Sequence, residues 1–188
     1  MNTLATSFCV LLLQLNAFAW SGAGHQVIAA EAYLELSPAL KIKVMEILKA
    51  HSDYQKWAAS FTSGSPHLDL ATFIFMRSST WPDEIRRLGN KYDHPKWHYV
   101  DHPLKPPSFP IEPGPDPTDD IQQCEKTFAD EKSPPEERAV YLTWLIHLIG
   151  DLHRPLHCCS SANEVYSAGD RGGNSLYVKP AKWSSFSA

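Results

Sequence analysis

The stretch Trp144–His157, W-L-I-H-L-I-G-D-L-H-R-P-L-H, reads as a buried apolar helix interrupted by two polar residues, His147 and Asp151. Four residues apart, those two lie above one another on one helical face. An imidazole and a carboxylate aimed the same way from a buried helix are costly unless something pairs with them. Pro155 ends the helix, because the residue before a proline is pushed out of the α region, and His157 follows just beyond the turn. Nitrogen and oxygen donors of this kind suit zinc. The plainer alternative is a core helix whose His and Asp only satisfy each other.

Working outward, the chain of 188 residues is long enough for one sizeable domain and short for two. Apolar content of 43 % and charged content of 20 % describe a globular protein. A formal net charge of −4 gives no general basic footprint, so contact with nucleic acid must come from a local site. Bound cations can supply positive charge at such a site.

Residues 1–19 read as a secretory signal peptide. Phe8 to Leu15 is an apolar core too short to span a bilayer, followed by Ala17-Phe18-Ala19 with small residues at the cleavage positions. Cleavage after Ala19 leaves Trp20 as the first residue, a protein secreted or periplasmic, and no membrane anchor. Cys124, Cys158 and Cys159 remain, an odd number with no C-x-x-C spacing, so neither a disulfide nor a metal role is assigned.

Helical spacing runs from His25 to Leu36, and Ser37-Pro38 supplies an N-cap and a first-turn proline for a second helix to about Ala50. A looser segment starts near His67, and Trp81 to Leu88 continues it or forms a short separate helix. Prolines at 103, 106, 107, 110, 113, 115 and 117 predict an exposed loop. Ser133-Pro134 opens the central helix, apolar on most sides as befits one surrounded by others. Gly169 to Asn174 is a glycine turn, with a short strand expected over Ser175 to Lys179. The fold class that follows is all-α, a helical bundle with long loops and no internal repeat.

Around the central motif stand W-S-G-A-G-H at the mature start, W-P-D-E-I-R from Trp81, H-Y-V-D from His98, and G-G-N from Gly172. In this order, over almost the whole mature chain, they resemble the secreted zinc-dependent single-strand-specific nucleases and 3′-nucleotidases. That family shares a superfamily with the zinc-dependent bacterial phospholipases C. The block from His147 to His157 is the specific signature; the other motifs gain weight from its company.

The resemblance implies a mostly helical nuclease-like domain over 20–188 and a centre of three zinc ions. One ion would take Asp83, His98, His147 and Asp151. A second would take the Trp20 amine and carbonyl, His25 and Asp151, which makes Asp151 the bridge; a third would begin with His157. Asp83, Arg86 and Asp151 take catalytic roles, with Arg86 near the scissile phosphate. Tyr99, Asp101 and Asn174 fall at substrate-binding positions, and stacking on an aromatic suits unpaired bases. The substrate is single-stranded nucleic acid or a nucleotide, the product carries a 5′-phosphate, and no obligate protein partner is implied.

The chain departs from the family's pattern in one place. No His or Asp follows Asp170, so the third zinc site is expected to be incomplete and the family's C-terminal helices to be missing. Two alternatives stay open: phospholipase C chemistry on the same scaffold, and a catalytically impaired, truncated zinc-binding protein. His94, His102 and His153 read as residues at the surface or beside the ligands, and His51 and His67 as ordinary surface residues.

Overall fold

The structure, a computed structural model, describes residues 22–62, 68–99, 103, 117–167, 169–173 and 175. Seven α-helices and one 3-10 turn account for the regular structure among them: α1 Gly22–Glu35, α2 Pro38–Leu48, α3 Tyr54–Ser60, α4 Leu70–Ser78, α5 Trp81–Glu84, α6 Pro117–Ala129, α7 Pro135–Leu152 and the turn Pro155–His157. The protein is all-α. The signal segment, Trp20, His67, Asp101, His102, Asn174 and the strand expected over Ser175 to Lys179 lie outside the described residues, save Ser175, which sits in a turn.

Helix α7 is the axis of the bundle. Glu136 and Glu137 occupy its first turn, where the helix dipole favours negative charge. Ala139, Val140, Leu142, Trp144 and Leu148 are buried on several of its sides, and α1, α2, α4, α5 and α6 all pack against it. Arg154, the residue before Pro155, is extended at φ −102°, ψ 109°, and this ends the helix as the proline requires. The central helix therefore delivers His147 and Asp151 into the interior from its last two turns.

The starts of α2 and α4 are fixed by capping. Ser37 Oγ accepts from Leu40 N–H at 3.4 Å, with Pro38 in the first turn. Asp69 Oδ1 accepts from Thr72 N–H at 2.7 Å, and that backbone hydrogen bond holds the Asp69 carboxyl below its usual range. Helix α5 is a single separate turn, braced by Thr80 Oγ1 and Arg77 Nη2, which donate to Glu84 Oε1 at 2.9 and 2.8 Å.

Two helices were not expected from the sequence. Helix α3 is short, and α6 follows the proline-rich run, presenting Ile121, Cys124 and Phe128 at helical spacing to the core. Cys124 is fully buried as a free thiol, and burial pushes its pKa up to about 12.

His51 is not a surface residue. It is 3 % exposed, stacked on Trp57 at 4.5 Å between ring centroids and met edge-on by Trp81 at 4.6 Å. Its Nδ1 accepts from Asp53 N–H at 3.0 Å, which closes the turn between α2 and α3. The two tryptophans that bury it come from α3 and α5, a tertiary arrangement that the polar local sequence does not announce.

Candidate metal centre

Four elements converge on Asp151. His25 arrives from the first turn of α1, Asp83 from α5, His98 from the loop after it, and His147 from α7 itself. The 3-10 turn adds His157. Every imidazole in this set is 5 % exposed or less, and Asp151 is 5 % exposed. Asp83 is the open member, with its side chain 37 % exposed.

The carboxylate of Asp151 is two-sided. Its Oδ1 faces His25 Nε2 at 3.4 Å and His157 Nε2 at 3.8 Å. Its Oδ2 faces His147 Nε2 at 3.1 Å and His98 Nδ1 at 3.5 Å. Asp83 Oδ1 approaches His98 Nδ1 at 3.7 Å, and Arg86 Nη1 reaches the same oxygen at 3.4 Å. All six predicted ligands among the described residues therefore gather at one centre.

Local sequence explains how each ring is aimed. His147 Nδ1 lies 2.8 Å from the Ser79 carbonyl oxygen. A carbonyl only accepts, so Nδ1 carries the proton and Nε2 turns toward Asp151 and toward His98 Nδ1, 2.8 Å away. His25 stacks on His147 with ring centroids 4.0 Å apart. That close approach needs Gly150, since a Cβ there would stand 2.5 Å from His25 Nδ1. His98 is held edge-on by Trp144 at 5.1 Å, and Trp144 Nε1 in turn donates to the Tyr92 carbonyl at 3.0 Å.

The glycine turn closes the far side. Gly172 has φ +63°, and its carbonyl accepts from His157 Nδ1 at 2.7 Å. A Cβ on Gly172 would fall 2.8 Å from Tyr99 Cβ and 2.9 Å from His157 Nδ1, so the turn docks against both. Asp170 anchors this turn by accepting from Ser160 Oγ and Gly173 N–H at 3.2 and 3.1 Å. A cavity of about 10 Å³ lies between Tyr99, His98, Asp151 and His157, room for one water-sized or ion-sized occupant.

Electrostatics show what the cluster requires. Burial by itself would raise the Asp151 pKa, but the His147 charge and hydrogen bonds from His147, His25 and His98 hold it well below the usual carboxylate range. Burial would lower His147, yet Asp151 outweighs it and lifts the ring above its ordinary pKa. His98 is pushed down to about 4, chiefly by burial. A buried carboxylate ringed by imidazole nitrogens is a place that favours a cation.

The residues fit a metal by the same logic. His25, Asp83 and His147 bring their ligand atoms within 4.8 Å of one another, and so do His98, His147 and Asp151. Both groups contain His147, and Asp151 contacts members of each. Trp20, Asp101 and Asn174 lie outside the described residues. Gly150, the Ser79 carbonyl, Asp170 and Arg154 also shape the site without carrying a local sequence signal of that role, although Gly150 and Arg154 stand inside the central motif.

Among the spare histidines, His153 is exposed and bonds the Ile149 carbonyl at 2.7 Å, while His94 is half-buried and stacks on Trp97 at 3.8 Å. Neither faces Asp151.

An all-α bundle that gathers four histidines and a carboxylate, from several elements, at one buried point is a scaffold that could hold a metal ion. The family model of the S1/P1 nucleases matches residues 20–185, and the chain belongs to that family. It is a nuclease, with nucleic acid as the substrate its family implies. No curated protein and no solved structure shows a significant match to it. No helix among the described residues is long and apolar enough to cross a membrane.

Proposed function

We propose that this nuclease is zinc-dependent and cuts single-stranded DNA or RNA to 5′-phosphate products, with 3′-nucleotidase activity on nucleotides. The observation that carries the reading is the two-sided carboxylate of Asp151, one oxygen facing His25 and the other facing His147 and His98. Such a carboxylate is suited to bridge two cations, and an all-nitrogen-and-oxygen donor set suits zinc. When bound, zinc supplies acidification of water near neutral pH and offsets charge on the reacting phosphate and departing oxygen.

In this reading the chain's own residues have separate tasks. His25, Asp83, His98, His147 and Asp151 hold the metal ions, joined by the Trp20 amine and carbonyl once residues 1–19 have left as a secretory leader. Ser79 and Gly150 fix the rings of His147 and His25, as partners outside the ligand set do in metal sites. Arg86, half-buried beside Asp83, donates to a phosphoryl oxygen in this reading. Tyr99, which lines the small cavity, stacks on an unpaired base, and Asp101 and Asn174 share in recognition. Residues 20–188 act as one helical nuclease domain.

The test is zinc content of the purified mature protein together with cleavage of matched single- and double-stranded oligonucleotides. Zinc retained through dialysis, activity lost to a chelator and restored by zinc, and clear preference for the single strand are expected. Cleavage that survives full chelation would remove the zinc assignment, and equal cleavage of both substrates would remove the strand preference.

A further inference from the structure

We propose that Arg154 is a fixed cation of the active centre, which engages the free nitrogen of His157 with one arm and presents the other to a phosphate oxygen of the substrate. The assignment rests on the nuclease reading above for the identity of that anion. Arg154 is 9 % exposed, deep for a guanidinium, and reaches this depth because Pro155 forces its backbone out of the helix.

The His157 ring is committed on both edges. Nδ1 faces the Gly172 carbonyl at 2.7 Å, so it carries the proton and leaves Nε2 as a bare lone pair. Arg154 Nη1 donates to that lone pair. Nε2 is the nitrogen that points toward Asp151, and hence the one a metal would have to use. A guanidinium already stands in that place.

The other arm is unspent. Arg154 Nη2 is buried and has no hydrogen-bond partner among the described residues. Native proteins rarely bury such a donor without a purpose. A guanidinium remains charged at neutral pH even when buried. A planar charged donor beside a metal cluster recognises a phosphate oxygen by charge and geometry together. The corner where the resemblance places a third zinc thus carries its positive charge on the chain itself.

The experiment is a calorimetric titration of inorganic phosphate into the wild-type, Arg154→Ala and Arg154→Lys proteins, each zinc-loaded and metal-free, with zinc per chain counted by mass spectrometry. About two ions in the wild type are expected. Phosphate affinity should fall about tenfold or more in Arg154→Ala, the size of one charged hydrogen bond. Arg154→Lys, which keeps a charge, should retain part of that affinity, and it decides the matter if the alanine protein does not fold. Unchanged phosphate affinity in both variants, or no phosphate binding by the wild type in either form, overturns the assignment. So does a third zinc that is lost on His157→Ala. A wild type that binds no zinc overturns the metal reading only, and the metal-free titration then decides the role of Arg154.

Discussion

Among the described residues histidine is buried in two places, and His51 of the first and His147 of the second shift in opposite directions. His51 sits between Trp57 and Trp81 and is driven to a pKa of about 4, because burial dominates and the charge of Asp53 only partly opposes it. His147 is buried more completely and stacked just as closely, yet its pKa rises, because Asp151 lies 3.1 Å away. Burial among aromatic rings makes a neutral spacer. Adding a buried carboxylate within reach of several rings makes a place for a cation.

The largest effect is expected from removing that carboxylate's charge. Asp151→Asn keeps the shape and should abolish retention of tightly bound metal while cutting activity by at least about 10³-fold. Metal analysis and single-strand cleavage rates measure both, and a variant that keeps its metal would erase the distinction between the two regions.

Next in size is the acid limb of stability. His51 is lowered from 6.5 to about 4 in the fold, so the unfolded chain binds the extra proton first. Its neutral form therefore favours the fold above pH 6.5, and this contribution is lost as pH falls from there toward 4. The shift corresponds to about 3 kcal/mol at most. His51→Phe should flatten that portion of a denaturation-versus-pH curve. An identical acid limb in the variant would mean that His51 is not the group responsible.

The smallest effect tests how closely the metal-centre rings are packed. Gly150→Ala places a methyl 2.5 Å from His25 Nδ1 and must displace that ring. Metal affinity should weaken about 10- to 100-fold, as for other residues that orient ligands, with about 1–3 kcal/mol of lost stability from overpacking. Competition against a chelator reads the first and denaturant unfolding the second. Unchanged affinity would separate the His25 position from metal binding.

Much of this was legible in the sequence, and what was not has physical causes. Helices α1, α2 and α7 announce themselves through apolar spacing, Ser37-Pro38 and the stop at Pro155. Helix α6 hides because its apolar contribution to the core is just Ile121, Cys124 and Phe128, directly after a run of prolines. The ligands of α7 are readable because four residues make one helical turn. The burial of His51 depends on Trp57 and Trp81 meeting across two helices, and the need for Gly150 depends on a ring 125 positions earlier in the chain. Contacts of that kind leave no local pattern. Arg154 lay in plain view within the motif, but its orientation becomes evident only once the turn at Pro155 is built.

Helix α7 is both the core of the bundle and the support of Asp151. Any cation held there is bound by residues that come together only when the core has formed, so occupancy and folding are thermodynamically linked. A free ion concentration one hundred times the dissociation constant would add about 2.7 kcal/mol to the folded state per site. If the centre holds metal as proposed, the chain's resistance to unfolding is tied to the metal supply around it, and scarcity would lower activity and the folded population together.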